Sequence, residues 1–227
     1  MPILSGLAES DTSRAVAFAK EAAQIGVDGL MVFPPLTYKS DPRETVEFYR
    51  RVARASALPI LVYNNPRAYG VDLTLEVMAD LRGEDTIVAI KEESYDTTRV
   101  TDLLARFGSR FSVVCGVDDL LLESVALGAT AWVSGMANAV PKQSVELLAL
   151  ATQGRLEEAR RLYRALIPLF HLDTHVKLVQ YIKLAENVIA GYPETVKPPR
   201  LVLVGEERER ILAIVRKTLD DLRAIGY

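Results

Sequence analysis

Residues 86–91 read TIVAIK, an apolar run that ends on a lysine. Similar short runs rich in Val, Ile and Leu recur along the chain, and most of them lack alternation between apolar and polar residues. This pattern is typical of strands that are buried on both faces, as in a parallel sheet. The predicted strands span residues 2–5, 29–33, 59–63, 87–91, 111–115 and 131–133.

Helical patterns separate these strands, and capping residues such as Asp11 and Asp41 mark several of their starts. The predicted helices span residues 12–24, 43–55, 74–81, 97–106, 120–126 and 142–152. Strand–helix units in such a series predict an α/β fold with six parallel strands, as in a TIM (β/α)8-type barrel. The closed barrel has eight units, and this chain begins abruptly on a strand, so we expect it to lack the first two units.

Beyond Gly154 the pattern becomes helical only, with long stretches at residues 155–172, 176–190 and 206–224. Before the last of these, Pro193, Pro198 and Pro199 predict an extended connection. We therefore predict an incomplete barrel of units three to eight at residues 1–154, and a three-helix C-terminal extension packed on it at residues 155–227.

Composition excludes several classes of function. The net charge is −3 and both signs are spread along the chain, so no basic block indicates nucleic acid or an anionic membrane as a partner. No apolar run approaches the roughly 20 residues of a membrane span, and the N-terminus does not resemble a signal peptide. Cys115 is the single cysteine, so no internal disulfide can form and we expect a cytoplasmic protein.

Lys91 is a candidate nucleophile because it ends a predicted strand. The carboxyl ends of the strands form the active-site face of such barrels. A lysine withdrawn from water gives up its proton more readily and becomes an amine that can attack a carbonyl. The alternative is a lysine that extends from the barrel rim into solvent, and the residues alone leave both interpretations open.

Tyr63 ends the preceding strand in the stretch LVYNNP, residues 61–66. A phenol at this rim can relay protons to and from a carbinolamine. A core tyrosine with a satisfied hydroxyl is the commoner situation for a single tyrosine. The following Asn64, Asn65 and Pro66 predict a tight turn.

Four motifs, LVYNNP at 61–66, IKEES at 90–94, VVCGVDD at 113–119 and AWVSGMAN at 131–138, together resemble the dihydrodipicolinate synthase / N-acetylneuraminate lyase superfamily. The resemblance covers essentially the whole chain. It implies a lyase or class I aldolase mechanism in which Lys91 forms a Schiff base and Tyr63 relays protons. The lysine iminium does the activation in such a mechanism, so no metal or organic cofactor is expected.

The same resemblance implies substrate-binding residues after the later strands. These are Gly116, Val133, Ser134 and Gly135. The alternatives are ordinary turn glycines and strand packing. Asp118 and Asp119, which follow the first of these glycines, have a further interpretation as caps of the next helix.

The chain departs from the pattern of the lysine-biosynthesis synthase of this superfamily. That enzyme has an arginine five residues after the catalytic tyrosine, where this chain has Ala68, and the adjacent Arg67 is expected to point elsewhere. Pro35 or Leu36 stands where a relay tyrosine is expected, and Tyr38 is offset. The chain also has no glycine/threonine-rich motif of the GTTGE type, which binds the substrate carboxylate in the family.

Four other stretches resemble the deaminases of hydroxyproline breakdown: YNNPRAYG at 63–70, CGVDDLLLES at 115–124, HLDTHVKLVQYIKL at 171–184 and ETVKPPRL at 194–201. The resemblance implies that 1-pyrroline-4-hydroxy-2-carboxylate is deaminated to 2-oxoglutarate semialdehyde, with release of ammonia and water. The implied partners are a small 2-keto acid or cyclic imine carboxylate as substrate, and further copies of the chain in a homodimer or homotetramer.

Other interpretations stay open. One is a 2-keto acid aldolase or a sugar-acid dehydratase of the same superfamily, and another is a catalytically inactive, truncated remnant. His171 and His175 are spaced as a helical metal-binding pair would be, but no third strong ligand accompanies them. We expect these histidines to lie at a helix-to-helix junction and to serve packing or a subunit contact.

Overall fold

The computed structural model describes all 227 residues, and its strands and helices alternate in an α/β arrangement followed by C-terminal helices. The strands β1 to β6 are Leu4–Leu7, Gly29–Val32, Ile60–Asn64, Ile87–Glu92, Ser112–Cys115 and Ala131–Trp132. The helices α1 to α10 are Thr12–Ile25, Pro42–Ala53, Pro66–Tyr69, Leu75–Asp80, Thr98–Phe107, Leu121–Ala126, Pro141–Thr152, Leu156–Phe170, Leu178–Ala190 and Gly205–Ala224. Each predicted strand and helix overlaps one of these elements, so the predicted order of elements is confirmed.

The strands form one six-stranded sheet in the order β1-β2-β3-β4-β5-β6, and β1 to β5 pair in parallel. Each strand is therefore hydrogen-bonded to its neighbour in sequence, with a helix in every connection. Leu30, Ile60, Val62 and Ile90 have no exposed surface, which explains why the strand sequences lack polar alternation.

Helix ends in this part of the chain follow their sequence signals. Asp41 caps α2 by accepting from the backbone N–H of Glu44, whose side chain accepts from the backbone N–H of Asp41 in return. One short helix was not predicted. The residues predicted as a tight turn instead start α3, where the side-chain oxygen of Asn65 accepts from the backbone N–H of Ala68.

The chain divides into two compact units. The first consists of Met1–Cys115 and Leu127–Ala131, and within it α1 packs on α2, α2 on α4, and α4 on α5. The second consists of Gly116–Ala126 and Trp132–Tyr227, and within it α8 packs on α7 and α10, and α9 on α10. The domain boundary after residue 154 stays a prediction. None of the helices combines the length and the apolar character that crossing a membrane requires.

We predict that Ile90→Ala lowers the free energy of unfolding by about 2–5 kcal/mol, because it removes buried methyl groups from the middle of the sheet. Val88 lies on the same strand but is 42% exposed, so Val88→Ala should change stability by only about 0.5 kcal/mol or less. Chemical denaturation of both variants tests this difference. Equal losses would contradict the burial of β4.

Candidate active site

The carboxyl ends of β3 and β4 bring Tyr63 and Lys91 together. The register of these parallel strands pairs Tyr63 with Lys91 and Asn64 with Glu92. The backbone N–H of Glu93 extends the ladder by donating to the carbonyl of Asn64 at 2.9 Å. Because side chains alternate between the faces of a strand, Lys91 and Glu93 project to the same side.

The amine of Lys91 is largely withdrawn from water, since the side chain is only 9% exposed. Its Nζ lies 2.7 Å from Oε2 of Glu93 and 3.9 Å from the centroid of the Tyr63 ring. The side chain therefore turns toward a carboxylate and a phenol rather than into solvent.

Glu93 connects the lysine to the tyrosine. The Tyr63 hydroxyl donates to Oε2 of Glu93 at 2.7 Å, the same oxygen that contacts Lys91. The side-chain amide of Asn65 donates to Oε1 of Glu93 at 2.9 Å and to the Tyr63 oxygen at 3.3 Å. The amine, the carboxylate and the phenol thus form one hydrogen-bonded group in which a proton can pass between nitrogen and oxygen.

Aromatic rings surround the phenol of Tyr63. Phe33, which follows β2, meets the Tyr63 ring edge-on at 4.8 Å, and Tyr69 of α3 lies 5.6 Å from it. Burial raises the pKa of Tyr63, and the negative charge of Glu93 raises it further. The same two causes, in the same order, raise the pKa of Tyr69. Both phenols therefore keep their protons at neutral pH.

Glu92 projects to the other side of β4 and has a separate set of partners. It accepts from the side-chain amide of Asn64 at 3.0 Å, from the backbone N–H of Ser94 at 2.7 Å and from Nε of Arg99 at 3.1 Å. Arg99 also donates to the carbonyl of Leu73 at 2.8 Å. This group fixes the loops beyond β3 and β4 without contact to the lysine amine.

The substrate-binding residues implied by the resemblance lie in the second unit. They are Gly116, Val133, Ser134 and Gly135. Gly116 is buried and directly follows β5. The Ser134 hydroxyl accepts a hydrogen bond from the backbone N–H of Ala137. A Cβ on Gly135 would collide with the carboxylate of Asp173, so this glycine permits a close approach. Their part in substrate binding stays a prediction.

The two aspartates after β5 hold local structure in the same unit. Asp118 accepts from the indole N–H of Trp132 at 3.0 Å and from the backbone N–H of Met136 at 2.9 Å. Asp119 lies 2.7 Å from Nδ1 of His171. His171 and its neighbours form turns between α8 and α9, so the predicted helix-to-helix junction is confirmed.

Residues near the expected arginine and tyrosine positions do not join the lysine site. The guanidinium of Arg67 lies 4.1 Å over the ring of Tyr95, a residue with a left-handed backbone (φ 67°). Ala68 contributes its backbone N–H to the cap of α3. Tyr38 is 55% exposed, and a hydrogen bond with Glu44 raises its pKa.

Comparisons with known proteins identify the family of the chain. The sequence profile of the dihydrodipicolinate synthetase family matches residues 1–218. The chain belongs to this family. The family resemblance predicted from the motifs is thus confirmed, and the chain is a lyase-type, class I aldolase-like member by homology.

Two curated members of the dihydrodipicolinate synthetase family illustrate the relation, and both are 4-hydroxy-tetrahydrodipicolinate synthases. The one from Methanothrix thermoacetophila is 36% identical over 98% of this chain and 75% of its own length. The one from Chlorobium phaeovibrioides is 32% identical over 96% of this chain and 74% of its own.

Among solved structures, the 4-hydroxy-tetrahydrodipicolinate synthase from Methylacidiphilum fumariolicum SolV superposes with a TM-score of 0.93, at 28% identity, over 99% of this chain and 75% of that one. The wild-type sialic acid aldolase of Ruminococcus gnavus gives 0.89 at 20% identity and supports the fold alone. The predicted fold class is confirmed: the chain has the family's TIM-type architecture in partial form, with six strands and C-terminal helices.

Local sequence patterns did not identify several residues that contact the lysine and the tyrosine. These are Phe33, Asn65, Tyr69 and Glu93. Only Glu93 had a usable signal, since it stands two residues after Lys91 and strand alternation places both on one face. The others depend on how the loops after β2 and β3 fold.

We predict that Tyr63→Phe alters the pH dependence of stability above the ordinary phenol pKa of about 10. The folded chain holds the Tyr63 proton more tightly than the unfolded chain, so this stabilisation is complete below about pH 10 and is lost as the pH rises toward the raised folded pKa. Wild-type stability should therefore fall more steeply than that of the variant, by up to about 1.4 kcal/mol per pH unit. Urea denaturation at stepped alkaline pH measures both slopes, and parallel curves would contradict the buried phenol.

Proposed function

We propose that this chain forms a Schiff base between Nζ of Lys91 and the carbonyl or imine carbon of a small 2-keto acid or cyclic imine carboxylate. One observation carries the proposal: the Lys91 amine is withdrawn from water and lies 2.7 Å from a carboxylate that also binds the Tyr63 hydroxyl. Nucleophile, base and proton donor therefore stand within hydrogen-bond reach of each other.

The chemistry of this group fits Schiff-base formation. The amine becomes nucleophilic when it loses a proton, and the adjacent carboxylate can accept that proton. The positively charged iminium that results draws electrons from the neighbouring carbon, so a proton on that carbon becomes acidic. Tyr63 keeps its proton at neutral pH and can donate it to the departing oxygen.

For the substrate, we propose 1-pyrroline-4-hydroxy-2-carboxylate, on the basis of the four stretches that resemble hydroxyproline-pathway deaminases. Lys91 attacks C2 of the ring imine, and the C2–nitrogen bond breaks to open the ring. Loss of a proton from C3 then expels the 4-hydroxyl as water. Proton transfer from C5 to C3 and from the amine nitrogen to C4 then converts the new C3=C4 double bond into a C5=N imine. Hydrolysis of the two carbon–nitrogen double bonds consumes two water molecules, frees the lysine and releases ammonia with 2-oxoglutarate semialdehyde.

A second candidate is the condensation that the curated relatives' name describes, formation of 4-hydroxy-tetrahydrodipicolinate. Identity of 36% over almost the whole chain favours it. Ala68 in place of the synthase arginine, and Pro35 or Leu36 in place of the relay tyrosine, weigh against it. The aldolase and dehydratase interpretations have no observation of their own in the structure. The inactive-remnant interpretation rests on the partial barrel, which has six strands and spans 75% of the length of a curated relative.

Family membership supports the proposed pocket and the proposed assembly. Gly116, Val133, Ser134 and Gly135 are proposed to line the substrate pocket, as the resemblance implies. A homodimer or homotetramer is the proposed assembly, since members of the family often oligomerise. The single cysteine accords with the cytoplasm as the proposed location.

We predict that borohydride reduction in the presence of pyruvate attaches the keto acid to the wild-type chain, and that Lys91→Ala abolishes this adduct. Intact-mass measurement detects the added mass. Lys20, an exposed residue of α1, supplies a matched control, and Lys20→Ala should form the adduct as the wild type does. An adduct that persists in Lys91→Ala would exclude Lys91 as the Schiff-base residue.

We also predict that the chain releases ammonia from 1-pyrroline-4-hydroxy-2-carboxylate, and does so faster than it condenses pyruvate with aspartate semialdehyde. Ammonia is measured by a coupled dehydrogenase assay, and the condensation by coupled reduction of its product. Lys91→Ala is the control for both reactions. Condensation without ammonia release would select the synthase function, and an adduct without either turnover would favour the inactive remnant.

A further inference from the structure

We propose that Glu93 is a catalytic residue that carries protons between Nζ of Lys91 and the Tyr63 hydroxyl during formation of the Schiff base. The inference rests on the proposed function and adds to it a residue that neither the motifs nor the family resemblance assign. The observation that supports it is that the Glu93 carboxylate lies directly between Nζ of Lys91 and the Tyr63 hydroxyl.

Geometry places Glu93 at the reacting nitrogen. Its Oε2 is 2.7 Å from Nζ of Lys91 and 2.7 Å from the Tyr63 oxygen, so a single oxygen atom contacts both groups. Its other oxygen is held by the Asn65 amide at 2.9 Å, which fixes the rotation of the carboxylate. The Glu93 side chain is 13% exposed, so bulk water has little access to the proton in transit.

The reaction moves two protons from the lysine nitrogen to the carbonyl oxygen, and Glu93 lies where it can carry them. The Lys91 ammonium carries three protons and the iminium product carries one, and the two that leave the nitrogen are the two that leave with the carbonyl oxygen as water. Glu93 accepts the first proton, the C–N bond forms, and the carbonyl π pair moves to oxygen. That oxygen takes a proton from Tyr63, which regains one from Glu93.

The second half of the step repeats the transfer. Glu93 accepts the next proton from the carbinolamine nitrogen, and the nitrogen lone pair forms the C=N bond as the C–O bond breaks. The hydroxyl leaves as water with the proton that Tyr63 and Glu93 return to it. Glutamate and tyrosine end in their starting protonation states, and the lysine nitrogen ends with one proton and a double bond to the substrate carbon.

Glu92 supplies a matched control because it is the neighbouring carboxylate and faces the other way. It pairs with Arg99 at 3.1 Å and has no contact with the Lys91 amine among its hydrogen bonds and ion pairs. If any acidic residue at this end of β4 could support the reaction through its charge alone, substitution of Glu92 and of Glu93 would slow the reaction equally. We expect the two substitutions to differ in their effect on the rate, since only Glu93 contacts the reacting atoms.

The test is the rate of adduct formation with pyruvate, measured by timed borohydride quenching and intact mass, over a range of pH. Glu93→Gln should slow the rate by about 100-fold or more across the pH range, because an amide cannot accept the proton. Glu92→Gln should lower the melting temperature but leave rate and profile close to wild type. The ionisable groups that face Glu93 are Lys91 on β4, Tyr63 on β3 and Tyr69 on α3, and all are kept in both variants.

A second variant guards against a folding defect. Glu93→Ala opens space for a small carboxylate, and added formate should accelerate its adduct formation in a saturable way while leaving Glu92→Gln unaffected. Circular dichroism establishes that each variant is folded. Wild-type rates in Glu93→Gln, or no response of folded Glu93→Ala to formate, would overturn the role of Glu93 alone. Absence of any adduct in the wild type would instead overturn the proposed function, and this inference with it.

Discussion

The register between β3 and β4 determines the site, because it sets Tyr63 directly beside Lys91. A slip of one residue would turn the phenol to the opposite face and place Asn64 beside the lysine instead. The apolar pair Val62 and Ile90, one position earlier in the same register, has no exposed surface and resists such a slip. The placement of Tyr63 beside Lys91 at the carboxyl ends of β3 and β4 thus depends on the packing of apolar side chains.

Burial of the lysine creates the next constraint, since a charge withdrawn from water is costly unless a partner compensates it. Glu93 compensates Lys91 on one face of β4, and Arg99 compensates Glu92 on the other. The pleat keeps these two adjacent carboxylates apart, so each has its own cation. Two acids on one face would share a single cation, and one of them would be left as an uncompensated charge.

Particular residues explain which parts of the fold and of the candidate site could be predicted from the sequence. Strands, helices and the position of Lys91 follow from local patterns, because a buried parallel strand leaves a continuous apolar run and ends abruptly at its polar rim. The partners of the lysine do not follow in this way. Asn65 contacts Glu93 only because α3 starts where a tight turn was predicted. Phe33 follows β2 and contacts Tyr63 of β3, which is 30 residues away in the sequence. Such contacts depend on tertiary folding, which short-range patterns do not encode.

Substrate choice is a separate matter from lysine chemistry. Sequence identity spread along a whole chain mainly reports a shared scaffold, and one scaffold hosts different reactions through a few side chains. At the loop after β3, the position of the synthase arginine is Ala68, while the Arg67 guanidinium lies over Tyr95. A substrate carboxylate at this loop would therefore meet different groups from those of the synthase pattern. That local difference bears more directly on the substrate than the overall identity does, and it weighs against the synthase reaction although the curated relatives are synthases.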